Sequence, residues 1–434
     1  MRSSDTRQAI AHLKAGRAGE ALHLLREATP EQQRHPRLGL ALATARLRTR
    51  DPAGALDAFN RVLANSPAER PALYGRALAL HALGDRIGAL TAFRKLAGDP
   101  DAWKAWQSIA DITDDEDERL GAIEQAAGIL TRLCAGPEVP ELLLGRCIDS
   151  LVHAHQFEAA RQLVEQHFDR FGAPAEAVNR LADIHYQAGD FRNAFSYKLR
   201  ALELLPAQII QPKSARSVFD PRLAMQALQD LTALLRTWEF RFFPMAGTLL
   251  GLVRDGALLP HDRDVDIGLF RPKAGMPDIA DRIRMHPGLI LRRDARIGER
   301  YYAIFHQGVA IDLFVHDPAG PDHLLCGVSD IPGDIQWKLT RFDLIEVGLA
   351  GSQWTIPDKP ERYLEETYGA SWRHLDKGFA SAISSPALHD VDPYARAYYA
   401  AARARKALLV GNHSKATSLL SQSPVPVNLQ GSGK

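Results

Sequence analysis

At 434 residues, 46% of them apolar, the chain is long enough for two or more domains, each with its own core. Its 53 basic and 52 acidic residues leave a net charge of +1, which excludes a global cationic footprint for nucleic acid. Three widely spaced cysteines, Cys134, Cys147 and Cys326, with no C-x-x-C pair, indicate neither a disulfide framework nor a zinc site. The N-terminus lacks the apolar core of a signal peptide, and no run approaches the roughly 18–20 apolar residues of a membrane span. A soluble cytoplasmic protein is the expectation.

From residue 1 to about 206 the sequence repeats. Ala21, Ala55 and Ala89 are 34 residues apart, as are Leu25, Phe59 and Phe93; Ala160 and Ala194 keep the same interval. Ala122 fits between them with altered spacing. Small residues let two helices cross closely, and the larger partner fills the gap against the next pair. Pro67, Pro100 and Pro206 stop the second helix of a pair, because proline has no N–H and clashes with the preceding turn. This period resembles tetratricopeptide repeats and predicts about six helix pairs over 1–206, the fourth degraded around Asp111–Glu118. That acidic run reads as a solvated loop or helix start. Such an array offers a concave surface to a protein partner or a long acceptor, or serves as a platform.

The helical period breaks at Leu205–Ser217, which holds two prolines, and residues 207–220 are assigned as a linker. Residues 221–390 form the second domain. Leu223, Leu228, Leu231, Leu234 and Leu235 follow Pro221 at helical spacing and predict a helix packed on a sheet. Strand candidates are Phe240–Met245, Val265–Phe270, Leu289–Arg292, Tyr301–His306 and Val309–Val315. The alternation predicts a small mixed sheet with helices on it.

Three aspartates alternate, Asp262, Asp264 and Asp266. Residues two apart share a strand face, so Asp264 and Asp266 project together, joined by Asp262 if the strand begins early enough. Clustered like charges repel unless a cation offsets them. Mg2+ or Mn2+ takes carboxylate oxygens and often shares phosphate oxygens with a substrate. Upstream, Gly247-Thr248 reads as a turn after a β-rich run, supplying N–H groups and a hydroxyl to a phosphate. Arg254 either forks onto a phosphate or pairs with Asp255. Asp312 interrupts an apolar run, where an unpaired carboxylate is costly, so it reads as an ion ligand or a base. Tyr301 and Tyr302 precede that strand, and one of them should face the cleft. His261 stacks on a base or closes a turn. Lys338 and Arg341 read as basic positions on a helix, either solvated or meeting a diphosphate.

Gly247-Thr248-Leu249-Leu250-Gly251, then Arg254, then Pro260-His261-Asp262-Arg263-Asp264-Val265-Asp266, resembles the LicD/fukutin family of nucleotidyltransferase-fold proteins. Ala310–Phe314 is similar to the strand with a third carboxylate, and Trp354–Trp372 to the family's closing element. The likeness covers roughly 220–390. The chain departs from it at His261, where the family has Trp, and at Arg263. The resemblance implies an α + α/β chain, a TPR-like solenoid followed by a nucleotidyltransferase-fold domain. It implies metal ligands Asp264, Asp266 and Asp312, with Asp262, and donor-phosphate contacts from Gly247, Thr248 and Arg254. The implied activity moves phosphocholine or an alditol phosphate from a CDP-linked donor to a glycan hydroxyl, in surface polysaccharide or glycoconjugate synthesis. The implied place is the cytoplasm, at the inner face of the membrane through a glycan-assembly complex. Two alternatives stay open: nucleotidyl transfer to another acceptor, and a TPR adaptor with an inactive transferase domain.

Gly411 and Ala416 repeat the offset of five seen at Gly16/Ala21, Gly84/Ala89 and Gly189/Ala194. One more helix pair is therefore expected over 391–422, followed by a disordered tail, 423–434.

Overall fold

The computed structural model describes residues 3–33, 35–136, 138–205, 219–260, 262–376 and 378–427. Most of the expected linker (206–218), His261, and the end of the tail (428–434) lie outside the described residues. The strands are β1 (Phe242–Pro244), β2 (Val265–Phe270), β3 (Leu289–Leu291), β4 (Tyr301–His306), β5 (Val309–Pro318), β6 (His323–Gly327), β7 (Gln336–Thr340), β8 (Leu344–Leu349) and β9 (Ser352–Pro357). The chain divides into two compact units, Met1–Leu133 with Ile283–Arg293, and Cys134–Arg282 with Asp294–Lys434.

The first unit holds four helix pairs: Ser3–Lys14 with Ala18–Leu25, Pro36–Arg48 with Pro52–Asn65, Arg70–Ala82 with Arg86–Ala97, and Trp103–Ile112 with Glu116–Leu133. Ala21, Ala55, Ala89 and Ala122 are all buried at the helix crossings. Five residues before the first three alanines, the chain turns through a left-handed residue, Gly16 (φ +78°), Arg50 (φ +65°) or Gly84 (φ +88°). The next helix is then capped where an aspartate follows, Asp51 accepting from the Gly54 amide and Asp85 from the Gly88 amide. Phe59 fills the space a side chain at Gly75 would need, since a Cβ there would lie 2.2 Å from its ring. The acidic run starts helix Glu116–Leu133, one of its two sequence readings, and it is tied down: Arg293 forks onto Asp111 at 2.7 and 2.8 Å, and Arg94 onto Glu118 at 2.7 and 2.8 Å. β3 belongs to this unit.

The second unit continues the helix pairs with Glu141–His153/Phe157–Gln166 and Pro174–Gln187/Phe191–Glu203. The sheet domain follows, and then a last pair, Pro393–Leu408/His413–Leu420. This pair docks on the sixth: Ala194, Phe195, Leu202, Ala397, Tyr398 and Ala401 form one core cluster. It keeps the repeat's signature, with Gly411 at φ +73° and Ala416 buried, as at His155/Ala160 and Gly189/Ala194. The sheet domain is thus an insertion between the sixth and seventh helix pairs. A polar cluster pins the seam. Buried Lys198 donates to Asp183 (2.5 Å) and Asn179 (2.7 Å), and the Tyr398 hydroxyl donates to Asp183 at 2.6 Å. Tyr186 stacks on Tyr398 with ring centroids 4.2 Å apart and donates to Asp334 of the inserted domain.

The inserted sheet runs β1-β2-β5-β4, with β1 antiparallel to β2, β2 parallel to β5 and β4 antiparallel to β5. β6 pairs with the end of β5 and with β7, while β8 and β9 make a separate hairpin. Helix Pro221–Thr237, capped by Asp220, buries Leu228, Leu231 and Leu235; Leu223 instead stays 51% exposed, one turn from the end of the apolar face. β1 is three residues long rather than six, because the chain turns into a helix at Ala246. Lys338 lies on strand β7, not on a helix. Within the expected tail, Val425 and Val427 pack on the seventh-pair cluster. The three cysteines are buried, and none of them forms a disulfide. No described helix is long and apolar enough to cross a membrane.

Candidate functional site

Parallel pairing of the two central strands sets Asp266 of β2 directly beside Asp312 of β5. From β4, the Tyr301 hydroxyl donates to Asp312 Oδ1 at 2.9 Å. Tyr302 points away, its hydroxyl donating to Asp278 at 3.1 Å. β2 begins at Val265, so Asp264 stands one residue before the strand and Asp262 in the loop that leads to it. Contrary to what the alternation predicts, Asp264 and Asp266 are therefore not both on the strand, and the strand begins too late to include Asp262. They are nonetheless electrostatic neighbours, and all are part-buried. Burial, then the Asp264 charge, pushes the Asp262 carboxyl up to about 6. Burial and the same Asp264 charge push Asp312 up to about 6, with the Tyr301 hydrogen bond opposing. Asp266 is raised well above its ordinary value by burial and by Asp264, Asp262 and Asp312 together. Asp264 is raised by burial, and Arg403, Arg263 and Lys406 pull it back.

The Gly-Thr element is not a turn. It opens a short helix, Ala246–Leu250, that runs on as a π-helical turn, Gly251–Asp255. Ala246 enters it at φ +43°, a strained value for a residue with a side chain. Each residue of the motif has a mechanical reason. A Cβ on Gly247 would lie 2.5 Å from Asp262 Oδ2, so glycine leaves room for that carboxylate. The Gly247 amide also favours ionised Asp266. A Cβ on Gly251 would lie 2.5 Å from the Ala257 carbonyl oxygen. Thr248 is 2% exposed, and its Oγ1 accepts from the Asp266 amide at 2.9 Å. Its hydroxyl holds the strand that carries Asp266 and has no open face for a phosphate, contrary to the sequence expectation. Arg254 forks onto Asp255 at 2.8 and 2.9 Å and reaches the Trp372 carbonyl at 3.5 Å.

Two contributors escaped the sequence reading. Tyr368 ends helix Pro360–Tyr368 and is raised well above its ordinary value by burial, then by Asp266 and neighbouring groups. Tyr368-Gly369, within the Trp354–Trp372 stretch similar to the family's closing element, was the available signal. The second contributor is helix Pro393–Leu408, whose Arg403 acts on both Asp262 and Asp264. No motif marked it, because that helix reads as a repeat.

Among the described residues no three His, Cys, Asp or Glu side chains stand ready as a metal cage. The donor chemistry nonetheless fits a hard cation. The set is all carboxylate oxygen, and the mutual repulsion that lifts Asp266 is what a bound dication relieves.

Residues 239–288 match the model of the LicD/FKTN/FKRP nucleotidyltransferase domain, and residues 40–106 and 148–209 match a tetratricopeptide repeat. No curated protein matches the chain. Among solved structures, a thermophilic TPR protein of Thermus thermophilus is 18% identical, covering 54% of this chain and 98% of its own, with a TM-score of 0.27. PilF of Pseudomonas aeruginosa is 16% identical over 47% of this chain and 92% of its own, with a TM-score of 0.33. A tetratricopeptide repeat protein of Parabacteroides merdae is 13% identical over 48% and 80%, with a TM-score of 0.32.

Proposed function

With a LicD-type domain set into tetratricopeptide repeats as the premise, we propose that this chain is a metal-dependent phosphotransferase. It moves a phospho-substituent, phosphocholine or an alditol phosphate, from a CDP-linked donor to a glycan hydroxyl in surface polysaccharide or glycoconjugate synthesis. The observation that carries this reading is Asp266 beside Asp312 on parallel central strands, with Asp262 and Asp264 as charge neighbours. Asp264, Asp266 and Asp312 would hold Mg2+ or Mn2+, with Asp262 as a fourth carboxylate. A bound ion supplies charge that offsets the negative charge building on the donor's diphosphate.

The chain's own residues do the rest. Tyr301 fixes one oxygen of Asp312. The other oxygen takes the proton of the acceptor hydroxyl as that oxygen bonds to phosphorus. The P–O bond to CMP breaks, and CMP leaves with the electron pair. Gly247 keeps space for the Asp262 carboxylate, and Thr248 holds the Asp266 strand in register. The repeats hold a long acceptor or a partner protein, and the enzyme works in the cytoplasm at the inner membrane face.

The test is a donor panel with Mg2+: CDP-choline, CDP-alditols and CTP, following CMP and pyrophosphate. CMP release that is lost in Asp266→Asn and Asp312→Asn supports the reading. Pyrophosphate release would instead mean nucleotidyl transfer. If no nucleotide binds with Mg2+, the chain is an adaptor.

A further inference from the structure

Along β7, Trp337 and Leu339 are buried, so Gln336, Lys338 and Thr340 face the other way. Trp337 packs edge-on against Phe314 of β5, with ring centroids 5.9 Å apart. The face that carries Lys338 therefore looks away from the strand that carries Asp312. On that face lies a cleft of about 350 Å3. Three elements wall it. β6 sets His323 beside Thr340. The chain returns at residues 386–389 and bonds to the other edge of β7, the Lys338 amide donating to the Ala387 carbonyl at 2.9 Å and the His389 amide to the Gln336 carbonyl at 3.1 Å. Helix Pro360–Tyr368 brings Glu366, whose Oε2 accepts from the Thr340 amide at 2.9 Å.

The charged groups of the cleft differ in commitment. Glu366 is held by that amide and stands 3.9 Å from Arg362, which offsets its charge. Lys338 is half-buried, and among the described residues its ammonium has no hydrogen-bond or ion-pair partner. The rings of His323 and His389 have none either. Ala387, bonded alongside Lys338, is too short to cover it. A half-buried ammonium with two ring N–H donors in the same cleft is a seat for an anionic group. The Thr340 hydroxyl and the remaining lone pairs of Glu366 suit sugar hydroxyls beside it. The volume lies at the lower end of the roughly 300–1,000 Å3 of small-molecule sites, which suits one sugar residue better than a nucleotide-linked donor.

We propose that this cleft binds a sugar residue bearing an anionic group, either a phosphate ester or a carboxylate. The site lies outside the carboxylate cluster, and the inference does not depend on the phosphotransfer reading.

The experiment titrates the full chain calorimetrically with glucose 6-phosphate, glucuronate, glucose and inorganic phosphate. EDTA is present throughout, so the bare carboxylates repel an anion and no ion bridges it to them. At least one of the two acidic sugars should bind, and glucose should bind about tenfold more weakly or less, since it lacks the group that Lys338 pairs. The tighter of the two identifies the anion as phosphate or carboxylate. Lys338→Met keeps the length of the side chain and should weaken binding about tenfold or more; Lys338→Arg should weaken it less. His389→Ala lies on the exposed rim, where truncation spares the packing, and should weaken binding a few-fold. Ligand should slow hydrogen exchange in peptides covering 336–340 and 386–389 and leave 262–270 unchanged. Failure of both acidic sugars to bind overturns the inference, as does unchanged affinity in Lys338→Met, or protection that appears at 262–270 instead. Inorganic phosphate binding as tightly as glucose 6-phosphate would strike the sugar from it.

Discussion

Thr248→Val tests whether the threonine of the Gly-Thr element holds the strand or the substrate. Valine replaces the hydroxyl with a methyl at nearly equal volume, so packing at this 2% exposed site is kept. What is lost is the acceptor for the Asp266 amide, 2.9 Å away. An amide left unsatisfied in a buried place costs about 1–3 kcal/mol. If the strand opens locally, that cost raises the open population roughly 5- to 150-fold. Thr248→Ser keeps the oxygen and loses one methyl, about 1 kcal/mol or less. Hydrogen exchange by mass spectrometry, on peptides covering 262–270, reads the difference directly. Protection at β2 should fall in the valine variant and stay near wild type in the serine variant. Equal protection in wild type and Thr248→Val would refute the reasoning. If the valine variant instead lost donor affinity with β2 protection intact, the hydroxyl would be a ligand contact after all.

His316 gives a pH signature. Burial pushes its imidazole down to about 4 from an ordinary 6.5, so between those values the unfolded chain binds more protons than the folded one. Stability from this group is therefore full above about pH 6.5 and lost as pH falls toward 4, about 2 kcal/mol of it by pH 5. The raised carboxyls of Asp262 and Asp312 act in the opposite direction over the same window, so the readout is a comparison: from pH 7 to 5, wild type should lose about 2 kcal/mol more stability against urea than His316→Leu loses, and an equal change in both would remove the assignment. In the repeats, His155→Gly should stabilise by roughly 0.5–1 kcal/mol, since His155 sits at φ +56° where four other repeats use glycine. Gly84→Ala should do the reverse, by strain alone, because no atom lies within 4 Å of the added Cβ. Lower thermal midpoints for His155→Gly would contradict this. Finally, a truncation starting at residue 219 removes Asp183, Tyr186 and Lys198, the partners of Tyr398 and Asp334, and should aggregate; a monodisperse, folded product would show that the inserted domain stands alone.

What was legible in the sequence was what repeats or what alternates. The alanines at a 34-residue interval and the glycines five residues before them mark contacts that recur between neighbouring helices, so each copy confirms the next. β2 and β4 fall where the β-rich runs placed them, at Val265–Phe270 and Tyr301–His306. The register of Asp266 with Asp312 was not legible, because it depends on a parallel pairing between strands 46 residues apart. The fate of Thr248 was equally hidden: a hydroxyl beside a carboxylate motif looks open to a ligand until the structure shows it buried with an amide 2.9 Å away, whereas Arg254 takes one of its two sequence readings and forks onto Asp255. The charge that Arg403 exerts on Asp262 and Asp264 was least visible of all, since its helix obeys a repeat grammar and lies beyond the insertion.

That insertion also sets a schedule. Helix Phe191–Glu203 ends 190 residues before Pro393, where its covering helix begins. At a synthesis rate of about 5–20 residues per second, the cover arrives roughly 10–40 s after the surface it must close. Until then Ala194, Phe195 and Leu202 wait with their apolar faces open. The bonds that seal the seam join residues 215 and 229 positions apart, Asp183 to Tyr398 and Glu176 to Arg405. A nascent chain stalled anywhere in between should therefore be a preferred chaperone client, and slow codons across the inserted domain would lengthen its exposure.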